Sequence, residues 1–394
     1  MNGESEAAMT APTMPPKAPP NGGAKKEQIL IRPFVAGTRR VDKATYDESK
    51  VLTASTQDLR TYECDPNGFL RGAYLLVTCV TAANAAAVTF AANGPTNVID
   101  TITFNDTNNK PLLGPMTGFD LEMAVKFGGY SFQDDPRLSP VFSVTTGAGA
   151  TGGSFTFVLL VPVEIVAREG LGSLPNKSSS STFDIGIRLS ASTVPYGVAP
   201  TNPGTVRVRI QQYGWMDPNA TDMKGNQVRQ NPPGAQTTQY WSKQTYALNA
   251  GAISQRLQGI DSMVRNLIFI LDAAGSRTTG DADFPDPFTL LYETSLPIQR
   301  IRDIWRHMIG QLYGYNGTTA DVAGARNFGV YPESYCHDFT GKPGYETRLG
   351  YLPVSSATTL NVSGTIGGAG AHTLTVLVNK IVPANGNPLV LTGR

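Results

Sequence analysis

The side chains able to do covalent or metal chemistry are few and scattered. The chain holds three histidines and three cysteines. His307, His337 and His372 lie in unrelated contexts, and Cys64, Cys79 and Cys336 form no CxxC pair and no ligand cluster. One crowded spot exists: Cys336, His337 and Asp338 follow one another in SYCHDF. It invites a nucleophile or metal reading, but catalytic partners are normally brought together by the fold, not by adjacency. Carboxylates pair at Asp134 and Asp135 and at Asp281 and Asp283, all among turn residues. A glycosidase needs two carboxylates at a set separation across a cleft, which nothing here fixes. The Asp-rich stretch GDADFPDP lacks the EF-hand order of ligands, and the Gly-rich GAGATGG at 147–153 has neither the lysine nor the helix that phosphate binding needs. No catalytic, cofactor-binding or metal-binding residue is assigned, and the chain is expected not to be an enzyme.

What remains is cationic and apolar, the chemistry of contact. Two stretches carry it. ILIRPFVAGTRRV at 29–41 offers Arg32, Phe34, Arg39 and Arg40, either as a clamp on a neighbouring subunit or as a first strand with a solvated end. The segment 288–315 offers Arg300, Arg302 and Arg306 beside His307, either pairing with neighbouring subunits or solvated on a helix that packs on its own barrel. The net charge of +1 speaks against a dedicated nucleic-acid binder. Sequence-specific nucleic-acid binding is not expected.

The elements that must position these residues follow from periodicity. FTLLYETSLPIQRIRDIWRHMIGQLYGY reads as strand, turn and amphipathic helix. Pro297 suits a first helical position, and Ile298, Ile301, Ile304, Trp305, Met308, Ile309 and Leu312 mark one apolar face of a helix over 297–312. A weaker copy lies at 98–130: a strand from Val98 to Phe104, then a short helix introduced by Thr117 and Asp120 at capping-box spacing and ended by Gly128 and Gly129. The two copies stand about half a chain apart. Between them run many short β-patterned segments joined by Gly- and Pro-rich turns, such as Phe183–Leu189 and Val206–Ile210 with period two.

The chain of 394 residues is long enough for two domains with sizeable cores. Only 16% of residues are charged, against about a quarter in ordinary soluble domains. Such a surface suits a protein that hides much of itself in an assembly. The N-terminus has no apolar run of a signal peptide, and no stretch is long and apolar enough to span a bilayer. The expected organisation is an N-terminal arm (1–45), a first β domain (46–215), a linker of poorly packing residues (216–239) and a second β domain (240–394). The fold class is all-β: two tandem eight-stranded jelly rolls, each with a short inserted helix, plus an extended arm.

Order, spacing and length over about residues 60–390 resemble the double jelly-roll major capsid proteins of tectivirus-type phages, which have an icosahedral shell, an internal membrane and double-stranded DNA. GFLRGAYLLVTCVTAANAAAVTF (68–90), NVIDTITFND (97–106), FGGY (127–130) and RNFGVYPESYCHDFTGKPGYETRLGYLPV (326–354) carry the resemblance. It implies upright rolls with a helix after an early strand, pseudo-hexagonal homotrimers tiling a shell, and an N-terminal arm near an internal membrane. It also implies other virion proteins, such as vertex or minor capsid proteins, as partners, a place in the virion and assembly in the host cytoplasm. Two alternatives stand beside it. One is a carbohydrate-binding or carbohydrate-active jelly roll, with Trp215 or Trp241 as the stacking platform. The other is a vertex or spike protein of the same virus type.

Overall fold

The computed structural model describes residues 30–32, 34–131, 136–165, 170–221, 224–225, 228–230, 237–273, 276–277, 281–293, 295–314, 329–335, 350–355 and 358–383. The first half contains β1 (Arg40–Val51), β2 (Gln57–Asp58), β3 (Tyr62–Glu63), β4 (Gly68–Val80), β5 (Ile99–Asn105), β6 (Pro111–Met116), helix α1 (Gly118–Phe127), β7 (Phe155–Pro162), β8 (Asp184–Leu189) and β9 (Thr205–Trp215). The second contains β10 (Thr237–Leu257), β11 (Met263–Ala273), β12 (Phe288–Tyr292), β13 (Ser295–Arg300), α2 (Arg302–Tyr313), β14 (Val330–Ser334) and β15 (Leu360–Pro383). Shorter strands fill the connections.

Each half is two antiparallel layers face to face. In the first, one layer runs β1-β9-β4-β7. The other runs β2 and β3, then β8-β5-β6. Alternation sets the faces: in β9, Val206, Val208 and Ile210 point into the core while Thr205, Arg207 and Arg209 are exposed. The second half repeats this with fewer breaks. The first part of β10 pairs with the last part of β15, which continues through β11 to β14. The rest of β10 pairs with the start of β15, which continues through β12 to β13. Thus β10 and β15 each serve both layers. The register shifts between Asn249 and Gly251, and Gly251 adopts a φ of 111° that only glycine takes without strain. Across from it, Gly368 and Gly370 also have positive φ.

In the first half the helix follows β6 and precedes β7, and in the second it follows β13 and precedes β14, in both cases later than the early-strand position expected. The expected helix over 297–312 is also corrected. Residues Ser295–Arg300 form β13, antiparallel to β12, and the helix starts at Arg302. Pro297 lies in that strand and not at a first helical position. β13 has no second partner among the described residues, and an edge strand tolerates the missing N–H. The second β domain, expected from residue 240, opens with β10 at Thr237, and Leu30–Arg32 pairs in parallel with Val228–Gln230.

The halves are joined by β-structure. β6 meets β10 in parallel at Leu113 and Trp241, so one sheet crosses from the first half to the second. A single contiguous hydrophobic core contains residues of both, from Val77 and Phe157 to Phe269 and Val376.

Candidate assembly surface

α1 sits where the halves meet. Its sequence, GFDLEMAVKF, has no polar stripe, the pattern of a helix covered all round. All ten residues are buried. The expected capping box is present, with Asp120 N–H donating to Thr117 Oγ1 at 3.1 Å and Thr117 N–H to Asp120 Oδ2 at 3.0 Å. Burying Asp120 and Glu122 requires partners. Lys243 Nζ reaches Asp120 from β10 at 2.7 Å, and Arg137 Nε donates to Glu122 at 2.7 Å. At the helix end, the Phe127 and Tyr313 rings meet edge to face at 5.1 Å, and the Tyr313 hydroxyl donates to the Phe127 carbonyl at 3.0 Å. Arg277 crosses the junction too, donating to Asn93 Oδ1 at 2.8 Å and lying over Phe119. The Gln239 amide donates to the Val163 carbonyl at 3.0 Å, while its oxygen accepts from Asn379 and Trp241.

Sequence reasoning missed Lys243, Gln239, Arg277 and Tyr313 as junction residues. The one available signal was α1 itself: a helix without a polar face needs a second body against it.

Among the described residues α2 is buried along one side. Trp305 is buried among Phe269, Phe284, Phe288 and Tyr331, and its indole N–H donates to the Pro332 carbonyl at 3.2 Å. Trp305, Ile309 and Tyr313, four residues apart, form the buried stripe. Ile301 and Ile304, expected on the apolar face, are each 55% exposed. The three arginines find partners in their own chain. Arg306 grips Asp281 through Nε at 2.9 Å and Nη2 at 2.6 Å and lies over the Tyr331 ring. Arg300 Nη2 is 3.2 Å from both oxygens of Glu333, whose carboxyl is pushed above its usual range by burial, against the pull of Arg300. Arg302 donates to the Asp281 and Ala282 carbonyls at 3.2 Å. The Asp-rich stretch of the sequence is thus a fastener for α2, with Asp286 also accepting from the Arg302 backbone N–H.

The arm residues are placed as follows. Phe34 is buried, edge-on to Phe69 at 5.0 Å and to Trp215 at 6.3 Å. Arg39 and Arg40 are exposed, and the Arg40 guanidinium lies 5.9 Å from the Trp215 ring centroid. Arg32 lies in the short strand, and its side chain is outside the described residues. Beneath Trp215, Glu164 collects Arg71 Nε (2.7 Å), the Trp215 indole N–H (3.1 Å) and the Ser173 hydroxyl (3.2 Å). Burial pushes its carboxyl up, and Arg71 opposes the shift.

Little else offers chemistry. Cys64 and Cys79 are buried free thiols, and burial pushes Cys79 up to about 12 and Cys64 higher still, far from reactive thiolates. Cys336, His337, Asp134 and Asp135 lie outside the described residues. Among the described residues no three His, Cys, Asp or Glu side chains gather as a metal site, and no helix is long and apolar enough to cross a membrane. Trp215, Trp241 and Trp305 are all buried, which leaves none of them as an exposed stacking platform for sugar.

No protein-family model matches the sequence, and the search of curated proteins gave no match. Solved structures do match in fold. The atomic structure of Sulfolobus Turreted Icosahedral Virus contains a chain with TM-score 0.56 and 12% identity, covering 86% of this chain and 90% of that one. The major capsid protein P2 from bacteriophage PM2 gives TM-score 0.51 at 7% identity, covering 89% of this chain and 100% of that one. The PBCV-1 virus capsid gives 0.54 at 10%, covering 87% and 94%. This chain has the double jelly-roll fold. At these identities the likeness is one of fold, and it takes in both rolls, with an inserted helix in each.

Proposed function

We propose that the chain is a major capsid protein. It assembles as pseudo-hexagonal homotrimers, and these tile an icosahedral shell around an internal lipid membrane and a double-stranded DNA genome. The observation that carries this is coverage. The fold takes in 86% to 89% of this chain and 90% to 100% of three chains from viral capsids. Fold alone does not fix function, but here two further features go with it. The two rolls are fused into one body through α1 and a shared sheet, which gives one chain two similar tiles at fixed relative position. The low charge of 16% suits a surface spent on copies of itself.

In this reading the protein works by repeated association and has no catalytic role. Its partners are its own copies first, then other virion proteins such as vertex or minor capsid proteins. The arm 1–45 turns toward the membrane, with Arg39 and Arg40 available to anionic headgroups. The location is the virion shell, built in the host cytoplasm.

The test is native mass by size-exclusion chromatography with light scattering. The expected result is a stable trimer of 126 kDa, three times 42.0 kDa, with a six-sided outline in electron micrographs. A monomer persisting at high concentration would overturn the reading.

A further inference from the structure

The internal repeat allows a comparison within one chain. α1 packs on β7 of its own roll and reaches across to β11 of the second roll. β11 is the third strand across its layer, and its residues Met263–Leu271 are all buried. Both of its faces are apolar because both are covered, one by its own core and the other by the first roll with α1.

α2 occupies the equivalent place in the second roll, packed on β14, and among the described residues its Ile301 and Ile304 stand exposed. The counterpart of β11 in the first roll is β4, and its run AYLLVTCV also carries apolar residues on both faces. Among the described residues the outer face is only partly covered. Tyr74 is 44% and Val80 66% exposed, Leu76 is half-buried, and so is Val158, paired with Leu76 across from β7. Among the described residues, then, one helix lacks the strand its twin covers, and one strand lacks the helix its twin carries.

We infer that α2 of one copy seats on the outer face of β4 and β7 of the next, with Ile301 and Ile304 against Tyr74, Leu76, Val80 and Val158. The interface between chains thereby repeats the junction inside the chain. The two faces differ, so copies join head to tail, and in the homotrimer proposed above this contact closes into a ring. This rests on the self-assembly proposed above and names its surface.

The experiment uses the full chain with Ile304→Glu and, separately, Tyr74→Glu. Both positions are exposed in the single chain, and circular dichroism checks that each variant keeps its fold. Each is expected to weaken association at least tenfold and to move the mass from the oligomer to 42.0 kDa. A second measurement is independent of affinity. A chain carrying Ile304→Cys is mixed with one carrying Tyr74→Cys under mild oxidant, and a disulfide-linked pair forms only in the mixture. If the wild type is oligomeric but both glutamate variants keep its mass and the mixture gives no linked pair, this surface is wrong while self-assembly stands. If the wild type is itself a monomer, self-assembly fails and this surface with it.

Discussion

Asp272 on β11 is a carboxylate that burial works against. Its pKa is pushed above the ordinary range first by burial and then by nearby Asp120, with Arg277 and Lys243 pulling the other way. Its Oδ1 is buried and makes no hydrogen bond. The fold therefore holds this proton more tightly than the unfolded chain, which releases it at about 3.9. The fold binds more protons in the window above that value, so the stability linked to this group is present at lower pH and lost as pH rises through the folded-state pKa. Asp272→Asn removes the buried charge. It is expected to stabilise the protein at neutral pH by on the order of 1 kcal/mol and to flatten the fall of melting temperature as pH rises above about 4. An unchanged slope in the variant would show that other groups set it. Glu164 is also pushed up by burial, but it differs in receiving three donors, so its truncation would leave Arg71 without its partner.

At the scale of elements, legibility followed local chemistry. The capping box of α1 was readable because Thr117 and Asp120 act on backbone groups within one turn. Thr117→Ala should cost about 1 kcal/mol, seen as a lower denaturant midpoint and faster amide exchange over 118–122. Wild-type exchange rates there would mean that packing alone fixes the helix start. The start of α2 was not readable. Proline at 297 fits a first helical turn and an edge strand equally well, and pairing of β13 with β12 decides for the strand. The three- and four-residue spacing of Ile301 and Ile304 matched a buried stripe, yet spacing says which residues share a face and not whether anything covers it. The arginines of 300–306 were legible as a cationic group. That Asp281 and Glu333 hold two of them could not be seen, because both partners come from sequence-distant segments. Nothing in the sequence of β10 marked the register shift between Asn249 and Gly251. In the fold it is a corner where one strand changes sheets.

At the scale of the molecule, the question is whether the two rolls are two folding units. The sequence pattern says two, with a linker that packs poorly. Several contacts argue for one. A sheet continues from β6 to β10, α1 is buried on every side with the second roll supplying part of the cover, and Lys243, Arg277 and Gln239 satisfy polar groups of the first roll. Separating the rolls would expose α1 and strand the buried Asp120 carboxylate, a cost comparable to the marginal stability of a whole domain. The monomer is therefore expected to unfold in one calorimetric transition, with van't Hoff and calorimetric enthalpies agreeing. The first roll expressed alone, as residues 46–215, should bind hydrophobic dyes and lack fixed tertiary signals. Two resolved transitions, or a well-folded isolated first roll, would mean that the junction is an interface between independent domains. Its rigidity in the assembly would then have to come from neighbouring copies.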